Sequence, residues 1–327
     1  MVAAMSNGRT RARISSLATY VPPRVLTNAD LEKMVDTNDE WILQRTGIRE
    51  RHLVDPGVAT SDLAAEAARE AIARAGLTPA DIDFIVVGTT TPDMLFPSTA
   101  CLLQAKIGAV NAWGYDLFAA CSGFTYALTT AAQMIAGGGS RRALVVGADV
   151  MSSIIDYTDR ATCVIFGDGA GAAVVSSRPR EGARSVRWRA GESLHAPKHR
   201  DALRFEQRGG MLRNILTLPV PKLAGEHARK VLDAALAHEG VARRDVSGWV
   251  MHAGGRRVLA ELQDRLGLTA GDVTTSAAVL DEYGNLSSPF VLFVLKAALD
   301  ARAQGGLWWM SSFGAGFSCH GALLEVA

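Results

Sequence analysis

The chain has 327 residues, with 34 Lys and Arg against 33 Asp and Glu, so its formal charge is 34 minus 33, or +1, with histidines neutral. It lacks the basic excess that is the electrostatic footprint of a nucleic-acid-binding protein. With 48% hydrophobic and 20% charged residues it can bury a large core, which excludes extensive disorder, and its length suits about two domains at roughly 150 residues each.

The apolar run at Met1 to Met5 is too short for a signal-peptide core. The longest apolar runs elsewhere, near 84–88 and 143–150, fall far short of the roughly 20 residues that span a bilayer. A cytoplasmic protein with no membrane partner is expected. Thr60-Ser61-Asp62-Leu63 opens a predicted helix that runs to Ala75, with Leu63, Ala67, Ala71 and Ala75 on one face, a capping side chain before it and Gly76 as its stop. Residues 84–88 and 142–148 are β-branched runs behind a charged residue, and both read as buried strands of a largely parallel sheet. Alternating strands and helices predict an α/β fold. The same order of helix, glycine, acidic link and strand recurs at 223–237, Gly240 and 245–251, a weak internal duplication. Between the halves, 178–213 is rich in Arg, Gly, Glu and His and reads as an irregular connection, so the expected domains are 1–176 and 177–327.

Four cysteines, at 101, 121, 163 and 319, show neither CxxC spacing nor a disulfide-scaffold density, which favours a reducing compartment and single-thiol chemistry. Cys121 follows a short apolar strand and precedes the amphipathic run 125–135, a helix N-terminus where unpaired backbone N–H groups favour thiolate over thiol. His252 leaves the C-terminal end of a predicted strand beside Gly254 and Gly255, the edge where α/β sites form. Asn285 lies in Tyr283-Gly284-Asn285, before a helix start. Taken singly, a small buried cysteine, a hydrogen-bonded structural histidine and an ordinary turn account for these three residues.

Together they give Cys, His and Asn in that order, each at an element terminus. Over nearly its whole length the chain resembles the type III β-ketoacyl-ACP synthases of the thiolase-fold condensing enzymes. The matching stretches are Asp39-Glu40-Trp41-Ile42 with Arg45-Thr46-Gly47-Ile48, Phe96-Pro97-Ser98, Ala120-Cys121-Ser122-Gly123-Phe124, Asp159-Arg160, 166–171, Tyr283-Gly284-Asn285 and 313–317. The resemblance implies a thiolase fold of two pseudo-duplicated halves in a layered αβαβα core. It implies that Cys121 carries an acyl group taken from a thioester, which is then attacked by a carbanion formed from a second thioester. His252 and Asn285 would hydrogen-bond that thioester's carbonyl oxygen as enolate charge develops. Backbone N–H groups at Cys121 and Ala315 would form the oxyanion hole. Trp41, Arg45 and Arg160 would grip coenzyme A, and Phe96 would cross a homodimer interface to close the partner's acyl pocket. The implied partners are an acyl carrier protein, an acyl-CoA or other acyl thioester and a second copy of the chain. No cofactor and no metal are implied.

Two departures stand out. His252 is followed by Ala253-Gly254-Gly255, similar to the His-Pro-Gly-Gly of chalcone-synthase-like type III polyketide synthases, and 211–216 with 220–223 also resembles that group. The small residues predict room beside the second thioester. They suggest a specialised ketosynthase that joins acyl or β-ketoacyl chains of α-pyrone or resorcinol type, with housekeeping fatty-acid initiation from acetyl-CoA and malonyl-ACP as the alternative. A papain-type hydrolase shares the Cys, His, Asn order but lacks its local signature here. Cys319-His320 suggests a thiolase's second cysteine, yet reads better as core. His195 and His199 flank Pro197 and read as solvated rather than metal-binding.

Overall fold

The computed structural model describes residues 12–178, 184–208 and 211–327 of the chain. Its first half contains β1 (Arg13–Tyr20), β2 (Arg24–Thr27), β3 (Glu50–Leu53), β4 (Phe84–Gly88), β5 (Trp113–Leu117), β6 (Arg142–Asp149) and β7 (Gly169–Ser176). The second contains β8 (Val186–His195), β9 (Leu203–Arg208), β10 (Met211–Leu216), β11 (Val246–Met251), β12 (Gly306–Gly314) and β13 (Ser318–Val326). Nine strands form one sheet in the order β11-β12-β13-β8-β1-β7-β6-β4-β5, while β2–β3 and β9–β10 are separate antiparallel pairs.

The duplication hinted at in the sequence is plain in this order. The two wings meet where Arg13 pairs with Arg187 and Ile14 with Val186. Outward from there, β1-β7-β6-β4 and β8-β13-β12-β11 repeat the same three relations, antiparallel, antiparallel, parallel. The sheet is therefore mixed, not largely parallel as expected. Parallel pairing is confined to β4–β5, β4–β6 and β11–β12. The reason is in the connections: β12 and β13 are joined by the three residues 315–317, which permit a hairpin but no crossover.

Burial on both faces explains the apolar strands. Along β4, Phe84 and Val86 face a core shared with Phe124, Leu128, Phe290 and Leu295, whereas Ile85 and Val87 face Leu63, Ala67, Ala71 and Leu103 on the other side. Helices Gly123–Ala136 and Phe290–Asp300 fill the inner layer, and Thr60–Arg74 and Thr99–Ile107 cover the outer one. Thr60–Arg74 begins without a side-chain cap from the preceding residue. Instead Asp62 reaches back to accept from the Ala59 N–H at 3.0 Å. The segment 178–213 is also corrected: it supplies β8, an interior strand of the sheet, and most of the β9–β10 hairpin. Among the described residues, no helix is long and apolar enough to cross a membrane.

Candidate active site

Cys121 is set by a sharp turn between β5 and helix Gly123–Ala136. Ala120, immediately before it, is held at φ 48°, a left-handed conformation that costs an alanine about 1–3 kcal/mol. Two glycines let neighbouring backbone press on this turn. A Cβ on Gly88 would overlap the Gly123 backbone, and one on Gly314 would lie 2.5 Å from the Ala119 carbonyl oxygen. The expectation of a stabilised thiolate does not hold. Removal of the sulfur from water, together with the nearby Asp149 carboxylate, pushes the Cys121 thiol up to about 12.

His252 follows β11, and its N–H donates to the Ser311 carbonyl oxygen at 2.9 Å. The ring stands edge-on to Phe290 and Phe313, with centroids 5.2 and 5.1 Å away, and neither ring nitrogen has a hydrogen-bond partner. Burial pulls its pKa down to about 3, so the imidazole is neutral. Asn285 follows helix Ala270–Tyr283, whose end is turned by Gly284 at φ 69°. Its backbone is clamped on both sides, with N donating to Ile165 O at 2.9 Å and O accepting from Gly167 N at 3.2 Å. Its Oδ1 accepts from Ser287 N at 2.8 Å, which leaves the amide donors for the cavity.

Cys121, His252 and Asn285 line one small cavity of about 30 Å³ with Phe205, Leu216, Phe313 and Ala315. The expected oxyanion residue Ala315 is thus in place at its wall. The expected room beside His252 is small, since the cavity that His252 and Gly254 line holds only about 30 Å³. Ala253 is fully buried, and a Cβ on Gly254 would already be in van der Waals contact with Phe313 at 3.4 Å and Val258 at 3.9 Å, so the glycine opens little more than a methyl's worth of space.

Three polar residues around the site were not legible in the sequence. Asp149, fully buried at the end of β6, accepts from Thr90 N at 2.6 Å, Thr89 Oγ1 at 3.2 Å and Ser288 N at 3.0 Å. Burial pushes its carboxyl up to about 6. Ser287 has φ 60° and is buried. Arg51 buries its guanidinium completely, donating to Asn28 Oδ1 at 2.7 Å and to Val164 O at 2.5 Å. It thereby pins the segment that clamps Asn285.

Trp41, Arg45 and Arg160 come together: the two guanidinium carbons lie 5.6 and 4.7 Å from the Trp41 ring centroid. Phe96 is 89% exposed, and Leu95, Trp113 and Phe118 are exposed apolar residues as well, the last two at the two ends of β5. Cys319 is buried in the main core and burial pushes its thiol up to about 12. His320 bonds Thr129 and Ser193, and His195 bonds the Tyr126 hydroxyl at 2.8 Å, so His195 is held by the fold and not simply solvated.

The chain matches known proteins along nearly its whole length. Residues 115–191 match the family model described as 3-oxoacyl-[acyl-carrier-protein (ACP)] synthase III, and residues 197–325 match the chalcone and stilbene synthases, C-terminal domain. It is 41% identical to the β-ketoacyl-[acyl-carrier-protein] synthase III of Koribacter versatilis, over 97% of this chain and 98% of the relative. It is also 41% identical to the protein of that name from Thiobacillus denitrificans, over 97% and 99%. Among solved structures, 3-oxoacyl-[acyl-carrier-protein] synthase III from Aquifex aeolicus VF5 superposes with a TM-score of 0.86 at 34% identity, covering 96% of this chain and 99% of that one. The priming β-ketosynthase from the R1128 polyketide biosynthetic pathway gives 0.87 at 32% identity, covering 98% of each. The chain therefore belongs to the β-ketoacyl-[acyl-carrier-protein] synthase III family, acyltransferase-type condensing enzymes of the thiolase fold.

Proposed function

We propose that the protein starts fatty-acid chains, loading a short acyl group from coenzyme A onto Cys121 and condensing it with malonyl-ACP. The observation that carries this reading is the convergence of Cys121, His252 and Asn285 on one cavity, with His252 neutral and unpartnered and the Asn285 amide free to donate. In the first step the Cys121 sulfur bonds to the acyl carbon, the bond to the coenzyme A sulfur breaks, and the thiol proton leaves with coenzyme A. Backbone N–H groups of Cys121 and Ala315 stabilise the tetrahedral oxyanion. In the second, malonyl-ACP loses carbon dioxide while His252 and Asn285 hold the thioester oxygen. The resulting carbanion attacks the acyl carbon and expels the Cys121 thiolate, giving β-ketoacyl-ACP, and the thiolate takes a proton from water to restore the thiol.

The names of the full-length relatives support this reading over a specialised one, and the small cavity of about 30 Å³ beside Gly254 is in keeping with it. The nucleophile comes from the half 1–176, and the His and Asn come from 177–327. Trp41 with Arg45 and Arg160 offers an aromatic face and two cations to coenzyme A. The exposed apolar residues Leu95, Phe96, Trp113 and Phe118, two of them flanking edge strand β5, suit a homodimer joined strand to strand, with Phe96 reaching the partner. Its substrates place the enzyme in the cytoplasm.

The test separates the two half-reactions. Intact-mass measurement after acetyl-CoA treatment should show one acetyl adduct, retained to a measurable extent in His252→Ala and Asn285→Ala. Both variants should lose condensation with malonyl-ACP by about a hundredfold or more. Variants that condense at the wild-type rate would remove both residues from the mechanism.

A further inference from the structure

Two glycines press the backbone around Asn285 against one buried arginine. A Cβ on Gly167 would meet the Tyr283 carbonyl oxygen at 2.5 Å and the Arg51 Cβ at 3.2 Å, and one on Gly284 would meet Ile165 O at 3.0 Å and the Arg51 Cβ at 3.4 Å. Strand β3, which carries Arg51, runs beside this segment, since Asp168 N donates to His52 O at 2.8 Å. The two terminal nitrogens of the fully buried arginine bond different parts of the chain. Nη2 donates to Val164 O at 2.5 Å, between the short helix Arg160–Cys163 and Ile165, whose carbonyl oxygen accepts from Asn285 N. Nη1 donates to Asn28 Oδ1 at 2.7 Å. Asn28 in turn donates to Asp39 Oδ1 at 2.8 Å and to Ile48 O at 3.0 Å, and these flank helix Asp39–Thr46, which carries Trp41 and Arg45. One guanidinium therefore reaches both sides of the Trp41 cluster and the backbone that seats Asn285.

We propose that Arg51 is a positioning residue that keeps the coenzyme A clamp and Asn285 in one register, holding the helix of Trp41 and Arg45 through Asn28, and the segments of Arg160 and Asn285 through Val164. The inference rests on the proposed roles of Asn285 and of the Trp41 cluster. Both acceptors of the guanidinium are neutral, so its buried charge gains little Coulomb energy to offset desolvation. What arginine supplies there is geometry, a planar fork whose donors reach two oxygens at a fixed separation. Arg51 does not itself line the cavity, so it acts through the residues it holds. A displacement of about 1 Å in a group that meets the substrate can cost about a hundredfold in rate, which gives a remote fastening of this kind its leverage.

The experiment is a double-mutant cycle of Arg51 and Asn285, read separately for each half-reaction. Arg51→Met removes both donors and keeps an apolar stem. Its KM for acetyl-CoA should rise about tenfold, and condensation of the preacetylated enzyme with malonyl-ACP should fall about tenfold or more. In the Asn285→Ala background the same substitution should cost less than about a further twofold in condensation, because a residue that acts through Asn285 then has nothing left to position. Arg51→Lys keeps the charge but replaces the fork with one ammonium. It should show smaller changes in both readings, and it carries the same cycle if the methionine variant does not fold. An arginine that only supports the fold would cost condensation equally in both backgrounds. That result overturns the proposal, as do wild-type KM and condensation in a folded variant. Wild-type condensation by Asn285→Ala alone would instead overturn the role of Asn285, and an unchanged KM for acetyl-CoA in Trp41→Ala would overturn the clamp.

Discussion

The His252 imidazole lies 5.1 Å from the Phe313 ring at 65°, with Phe290 closing its other side at 85°. Two aromatic rings thus take the place of the carboxylate that would keep an imidazole charged. Neutrality of His252 follows from this apolar seat, and it is the form that can serve a thioester oxygen without forming an ion pair.

That seat makes acid stability a direct readout. The folded-state pKa is pulled down to about 3 from 6.5, so unfolded chains take up a proton in a range where folded chains do not. The associated stability is present above pH 6.5 and is lost as pH falls toward 3. At pH 5 the loss from this one group is about 2 kcal/mol. Denaturant unfolding of wild type and His252→Gln at pH 7.5 and pH 5 should show the smaller decrease in the variant. An equal decrease would mean that His252 is protonated in the native state.

Cys121 and Cys319 have similarly raised thiol pKa values but not a shared setting. Cys121 borders the cavity, whereas Cys319 packs in the core opposite Phe313 in the β12–β13 pairing. Cys121→Ala should abolish acyl loading and condensation. Cys319→Ala should keep both, while losing about 1 kcal/mol of stability for the missing buried sulfur. Acyl uptake by Cys121→Ala, read by intact mass, would reverse the assignment.

Cys121, His252 and Asn285 were legible in the sequence by residue type at an element end, whereas the Trp41 cluster was legible only through the resemblance to the family. What escaped depends on contacts distant in the chain. Asp149 matters because it meets Ser288, and Ser287 because its backbone is turned to φ 60°, and neither fact has a local signal. Strand β8 is different. Its Val186, Trp188 and Ala190 are buried and alternate with less buried Arg187 and Arg189, a period-two pattern that the arginine content concealed. The raised Cys121 thiol comes from burial and from Asp149, 28 positions away in the chain, and neither has a local signal beside the cysteine.

The exposed apolar residues give a prediction about assembly. Leu95 is 82% and Phe118 64% exposed, so neither contributes much to the fold of one chain. Replacing both by Asp should leave the unfolding midpoint nearly unchanged while converting the protein from dimer to monomer in sedimentation velocity, because two carboxylates would be desolvated at the interface. A double variant that sediments as the wild type does would place any interface elsewhere.

The last prediction concerns the second substrate. Gly254 removes a side chain beside His252, but Phe313 would lie in van der Waals contact with a Cβ there, at 3.4 Å, and the cavity holds only about 30 Å³. A malonyl group, which is compact and becomes smaller on losing carbon dioxide, suits such a site better than an elongated β-ketoacyl chain. In direct competition, malonyl-ACP should be consumed at least about tenfold faster than a long β-ketoacyl thioester. Phe313→Leu, which trims the ring without exposing polar backbone, should narrow that ratio by opening space next to Gly254. Equal use of the two extenders by the wild-type enzyme would mean that Phe313 moves aside during catalysis, and it would restore the specialised ketosynthase in place of the initiating one.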